Sequence, residues 1–163
     1  MTTPIDPNDK ILWDDYVRAL EKFLDHKAQL IRQSSDLKQV IEHGLAEEKI
    51  SQALGLMRAL NVEERKSFFE RILEGASYQN PYHVGYRDLV LSFPKTWLLE
   101  NIEKYAQPIL SGKDKYEEYM CLMGLFEKID KQLAIRLAQH GVESDDADIR
   151  ELGQEVLKDL THS

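Results

Sequence analysis

An all-α fold, arranged as stacked antiparallel helix pairs, is predicted by three features of this 163-residue sequence. Apolar residues recur every three or four positions in segment after segment, the spacing of one face of an α-helix. No stretch alternates apolar and polar residues over a useful length, so no strand is predicted. Helix start and stop signals divide the chain into short elements, among them Asp-Pro, Asn-x-x-Glu and glycines that follow apolar runs.

The first helix begins at Asp6-Pro7, where Asp6 can cap, Pro7 suits the first helical position and Asp9 places negative charge in the first turn. Leu12, Tyr16, Leu20, Phe23, Lys27 and Leu30 then follow one face as far as Gln33. Ser34 or Ser35 can cap a short second helix holding Leu37, Val40 and Ile41, with Gly44 as its stop. A third runs from about Glu47 to Leu60, with Ile50, Ala53, Leu54 and Met57 inward. Asn61 and Glu64 form a capping-box pattern that opens a fourth, carrying Phe68, Phe69, Ile72 and Leu73 up to Gly75.

Residues 76–85, ASYQNPYHVG, read as irregular, since Asn80-Pro81 signals a turn. A short helix over Tyr86 to Ser92 follows, and Pro94 opens another with Trp97, Leu98, Ile102, Tyr105 and Ile109 on its face. Pro108 and the Ser111-Gly112 break end it. Helices are then expected over Tyr116 to Ile129 and, after Asp130 as cap, over Lys131 to His140 with Gly141 as stop. The last one carries Ile149, Leu152, Val156 and Leu160, with Ser144 or Asp145 as its cap. The turns at Asn61 and Asp130 are tight and the other breaks longer, which favours an open stack of helix pairs over the alternative, a closed helical bundle. The length suits a single all-helical domain over residues 1–163.

The closing stretch DADIRELGQEVLKDL, with Asp148, Ile149, Arg150, Leu152, Val156 and Leu157 in this spacing, resembles a helix of a HEAT-type repeat. The preceding YEEYMCLMGLFEKIDKQLAIRLAQHG looks like the unit stacked before it, so the resemblance covers about residues 113–160 and, loosely, 46–75. It implies a degenerate HEAT-like α-solenoid, and the role it implies is that of a scaffold binding other macromolecules along a helical surface. The irregular segment 76–93 departs from the repeat pattern.

Charge narrows the partners: 29 acids against 21 bases give a net −8, which repels nucleic acid and is compatible with a basic protein. No run of eighteen apolar residues occurs and MTTPIDPNDK lacks a basic segment followed by an apolar one, so no membrane partner and a cytoplasmic location are expected. The single cysteine, Cys121, sits in the apolar run YMCLMGLF and reads as a small buried hydrophobe.

No motif names a reaction. His-Glu-x-x-His and Glu-x-x-His are absent, the histidines are scattered singly, and neither a Gly-x-Ser-x-Gly elbow nor a phosphate loop is present. Acidic pairs such as Asp14-Asp15, Glu47-Glu48, Glu63-Glu64 and Glu117-Glu118 are too numerous, and too often at helix starts, to mark a general acid and base. No enzyme activity, metal or cofactor is therefore expected.

Two groups of residues remain as candidate binding surfaces. One is aromatic: Tyr78, Tyr82, His83, Tyr86, Phe93 and Trp97, of which Tyr82, Tyr86 and Trp97 are expected at a partner surface. The other is the acidic end, where Glu143, Asp145, Asp146, Asp148, Glu151, Glu155 and Asp159 face only Arg150 and Lys158, seven acids against two bases, net −5. Capping accounts for two or three of these, but Glu151, Glu155 and Asp159 lie four apart on one face, where like charges repel. The reading that follows is a non-catalytic helical module that binds a basic protein through this acidic face, in its sharpest form an immunity-type inhibitor that occludes a cationic toxin. The alternative is a helical enzyme or ligand-binding domain with a pocket around Tyr82, His83, Tyr86 and Trp97.

Overall fold

The computed structural model describes residues 5–162, and all its regular elements are helices; no strand occurs among the described residues. The chain divides into two compact units, Met1–Ala59 and Leu60–Ser163.

The first unit holds α1 (Pro7–Gln33), α2 (Leu37–Ala46) and α3 (Ile50–Met57). α1 starts as the sequence signals: Asp6 accepts a hydrogen bond from the Asn8 backbone N–H at 2.8 Å and Pro7 takes the first helical position. The cap of α2 is Asp36, not Ser34 or Ser35, and accepts from the Gln39 N–H at 3.0 Å. α2 also runs past Gly44 to Ala46, because the reversal is made by Glu48 at φ 57°. Gly44 instead faces α3, where an added methyl would lie 3.6 Å from the Ala53 Cβ. Ile41 and Leu45 of α2 and Ala53 and Leu54 of α3 are buried, whereas α1 contributes no buried residue.

The second unit holds α4 (Val62–Lys66), α5 (Phe69–Ala76), α6 (His83–Leu91), α7 (Lys95–Leu110), α8 (Tyr116–Ile129), α9 (Lys131–Val142) and α10 (Ala147–His162). The capping box is present: Asn61 accepts from the Glu64 N–H at 3.0 Å while Glu64 accepts from the Asn61 N–H at 3.1 Å. The helix it opens breaks at Ser67-Phe68, so one expected helix is two. The second piece, α5, buries Phe69, Ile72, Leu73 and Ala76. Phe69 meets Phe93, Trp97 and Tyr105 edge to face, at 5.0, 4.7 and 5.1 Å between ring centres, a geometry favoured by the ring quadrupole. Arg65, itself buried, lies 5.2 Å over the Phe93 ring and Lys66 lies 5.4 Å over Trp97.

Asp130 joins α8 to α9 by itself, accepting from the Gln132 N–H at 2.9 Å and pairing with Lys95 at 2.9 Å. The start of α8 lies beside the end of α9, since the buried Tyr119 hydroxyl donates to the Leu137 carbonyl at 3.1 Å and fills the space over Gly141; the pair is antiparallel. Arg136 of α9 donates twice to Glu103 of α7, at 2.9 and 3.0 Å. α10 packs on α9 through Gly153, where a Cβ would stand 2.8 Å from the Ala138 carbonyl oxygen and 3.0 Å from the Val142 nitrogen.

Those last neighbours are backbone atoms and cannot yield. Gly153→Ala should therefore lower stability by about 1–3 kcal/mol, outweighing the gain in helix propensity. Gly124 of α8 meets nothing closer than the Arg87 guanidinium at 3.8 Å, so Gly124→Ala should stabilise by up to about 1 kcal/mol. Urea unfolding of the two variants should show midpoints that move in opposite directions.

Burial also pushes the Tyr119 hydroxyl from its ordinary 10.0 up to about 12. A raised folded-state pKa contributes stability that is complete below pH 10 and lost as the pH climbs from 10 to 12. Tyr119→Phe should be less stable than the parent at neutral pH by about 1 kcal/mol, the size of a buried hydrogen bond. Its thermal midpoint should also fall less between those two pH values.

Candidate functional site

α10 is the element on which the acidic residues are carried, and its cap decides which of them are structural. Asp146, not Ser144 or Asp145, accepts from the Asp148 and Ile149 N–H groups, at 2.9 and 3.2 Å. Ser144 sets up that turn by accepting from the Asp146 N–H at 3.2 Å. Asp146 is thus occupied and half-buried, while Asp145 beside it is exposed.

Beyond the cap, α10 has two faces. Ile149 and Gly153 are buried and Val156 and Leu160 are half-buried, all on the side turned to α9. Asp148, Glu151, Glu155 and Asp159 stand on the opposite side and are exposed, a row about 16 Å long at 1.5 Å rise per residue. Asp145, Asp148, Glu151 and Glu155 have no ion-pair partner among the described residues. Arg150 forms no ion pair with the row; its guanidinium donates to the Ser144 carbonyl at 2.6 Å and the residue is half-buried.

The acidic surface continues past the helix. A groove of about 520 Å³ at the start of α10 is lined by Glu143, Asp145, Asp146 and Ile149 and, from the α7–α8 loop, by Lys113, Asp114 and Lys115. Asp114 stands at φ 56° and Gly112 at φ 106°, so this loop turns back through the left-handed region. Asp114 is not among the residues expected from the sequence to bind; the only local signal for the loop is the Ser-Gly-Lys-Asp-Lys run itself. Lys115 pairs with Glu118 at 2.7 Å, which turns one of the two lysines away from the acids.

Of the aromatic residues, Phe93 and Trp97 are brought together, stacked at 5.1 Å between ring centres, and the tyrosines lie apart from that pair. Tyr82 is exposed and so is Tyr78. Tyr86, expected at a partner surface, lies in the interior instead, with its ring over Gly75 and burial as the main cause raising its hydroxyl pKa. Trp97 is half-buried and belongs to the Phe69 cluster. His83 Nδ1 makes a hydrogen bond of 2.9 Å with the Tyr78 carbonyl. Asn80 holds the turn between them by donating to the Gly75 carbonyl at 2.8 Å and accepting from the Tyr82 N–H at 2.8 Å. Trp97 thus belongs to the Phe69 cluster, whereas Tyr82, His83 and Tyr86 lie at the start of α6, with Tyr82 near enough to contribute to the raised Tyr86 pKa.

A second groove, of about 450 Å³, lies among α7, α8 and α9, with Ala106, Phe126 and Leu137 as its apolar lining and Glu103, Arg136 and His140 among its polar residues. The bidentate contact uses up the Glu103 and Arg136 charges on each other and raises the Arg136 pKa. Cys121 is buried and free, and burial pushes its thiol up, away from the reactive thiolate. Among the described residues no group of three or more His, Cys, Asp or Glu is arranged to hold a metal ion. None of the described helices is long and apolar enough to cross a membrane. Compared with protein-family models, with curated proteins and with solved structures, the chain gives no match in any of the three.

Cap and stripe should separate on substitution. Asp146→Ala should lower stability by about 1 kcal/mol through loss of the cap. Neutralising the stripe with Glu151→Gln and Glu155→Gln should leave stability unchanged or raise it by a few tenths of a kcal/mol, because like charges four residues apart repel. Chemical unfolding of the two variants at low salt distinguishes these roles.

Proposed function

We propose that this chain is a non-catalytic helical interaction module that binds a basic protein through the acidic face of α10. One observation carries the reading: Asp148, Glu151, Glu155 and Asp159 are exposed in a row on the side of α10 away from α9, and the nearby Arg150 guanidinium donates to the Ser144 carbonyl and not to a carboxylate of the row. Stability alone does not ask for such a row. Repulsion along it costs a few tenths of a kcal/mol per pair, whereas lysines and arginines on a partner would relieve the repulsion and speed association by electrostatic steering. Asp145 and Asp114 extend the surface around the start of the helix, and the exposed Tyr82 offers an aromatic contact elsewhere on the same unit.

In architecture the reading takes the second unit as a short stack of helix pairs of the HEAT-like kind, with the antiparallel α8–α9 pair and α10 as its supporting elements. In its sharpest form the module is an immunity-type inhibitor acting in the cytoplasm, where it covers a cationic toxin. A small acidic chain suits that role, because a toxin that binds a polyanionic substrate presents a basic surface for an acidic face to occlude.

The test is capture on the immobilised protein at about 50 mM salt and again at about 500 mM, where surface electrostatics are screened beyond a few ångströms. A control carries Glu151→Lys, Glu155→Lys and Asp159→Lys. A basic protein should be retained by the parent at low salt, released at high salt, and held at least about tenfold more weakly by the control, with unchanged helical circular dichroism. Equal retention by parent and control, or none at either salt, rules the reading out.

A further inference from the structure

A second surface, independent of the acidic face, lies on α1. Its residues Leu12, Trp13, Tyr16, Leu20, Phe23, Leu24 and Leu30 recur at three- and four-residue spacing on one side of the helix, yet every one of them is exposed. Trp13 and Tyr16 are exposed by 59% and 58%. Their rings already touch at 5.8 Å but nothing buries them. Single exposed apolar residues are ordinary, but seven large ones in a continuous stripe are what an interface leaves open.

Two charged residues interrupt this side of the helix, Asp9 near its start and Lys27 near its end. They are eighteen residues apart, five turns at 3.6 residues per turn, and so point the same way from opposite ends of the stripe. We propose that α1 is the pairing helix of a symmetric homodimer, in which two copies lie antiparallel with Asp9 of each opposite Lys27 of the other. That register sets Leu12 opposite Leu24, Trp13 opposite Phe23 and Tyr16 opposite Leu20, an unbroken apolar centre closed at each end by an ion pair. Sliding the helices by one heptad places Lys27 against Tyr16 instead, and a parallel in-register pair places Asp9 on Asp9 and Lys27 on Lys27. In that register residues 6–15, with four acids and one base, face residues 21–30, with two acids and two bases, so the charge match at each end is carried by Asp9 and Lys27.

The area suffices. Seven large side chains left about half exposed offer on the order of 100 Å² each, roughly 700 Å² per copy and about 1,400 Å² in all, within the range of stable specific interfaces. A groove of about 320 Å³ between α1 and α3, lined by Phe23, Lys27, Leu30, Gly55 and Leu56, gives the first turns of the second copy a place to lie. A bilayer surface suits the same helix poorly, because its polar side holds four acids against four bases where interfacial helices are rich in lysine and arginine.

Sedimentation equilibrium in the micromolar range reads the outcome. The parent should weigh twice its 18.9 kDa chain, and Tyr16→Asp with Leu20→Asp should give a monomer of unchanged melting temperature, since neither side chain is buried. Asp9→Lys alone and Lys27→Asp alone should each weaken dimerisation about tenfold, and the double exchange should restore it. A monomeric parent overturns the proposal. So does a dimer that survives Tyr16→Asp with Leu20→Asp, or a double exchange that fails to restore pairing. A monomer that co-sediments with anionic phosphatidylglycerol vesicles would assign the stripe to a lipid surface. A monomer whose melting temperature falls with the two aspartates would assign it to another part of the same chain. None of these outcomes bears on capture by α10, whose variants lie in the other unit.

Discussion

The approach of α10 to the backbone of α9 at Gly153 is the contact on which the C-terminal half of the molecule turns. With no Cβ at that position, α10 comes against the Ala138 carbonyl and the Val142 nitrogen more closely than any side chain would allow. The contact fixes the rotation of α10 about its own axis. Ile149, one turn earlier, is brought into the interior, and residues 148, 151, 155 and 159 are left on the far side. Directly beneath, Tyr119 of α8 fills the space over Gly141 and ties itself to the Leu137 carbonyl, so three helices are keyed to one another by two missing side chains and one hydroxyl. The acidic row is a consequence of that keying as much as of its composition.

Local chemistry made much of this legible in the residues. Asp6-Pro7, the Asn61/Glu64 box and Asp130 are caps whose donors and acceptors lie within three positions, so short-range sequence contains the whole interaction. Where two candidates stood side by side the sequence could not choose. Asp36 caps α2 in place of Ser34 or Ser35, and Asp146 caps α10 in place of Ser144 or Asp145, because the choice depends on which carboxylate the preceding loop brings to the free N–H groups of the first turn.

The glycines were misread for a more instructive reason. Gly44, Gly75 and Gly141 look like helix stops, yet α2, α5 and α9 each run one or two residues past them. Their neighbours explain it: Ala53, the Tyr86 ring and the Tyr119 hydroxyl stand where a Cβ would point. A glycine kept for close packing and one kept for a left-handed turn are the same letter, and only a partner distant in sequence tells them apart. The same distance hid the Phe69 cluster and the Glu103–Arg136 pair, whose members are up to 36 residues apart. It also hid that Tyr86 belongs to the interior while Tyr82, four residues earlier, does not.

Two open surfaces of different physical character result. Residues 143–159 hold a net −5 of the −8 carried by the whole chain, so the remainder is close to neutral and the acidity is a local property, not a general aid to solubility. α1 is the reverse case: its acids and bases nearly cancel, and what it leaves exposed is apolar area. Charge acts at long range and sets rates and salt dependence, whereas apolar area acts at contact and sets persistence. Salt separates the two, because screening removes the steering of the acidic row while leaving apolar burial on α1 intact. A chain built only for its own stability would have covered the α1 stripe and dispersed the α10 charges; retaining both at a cost to the isolated fold is the physical reason to read each as a surface for a partner.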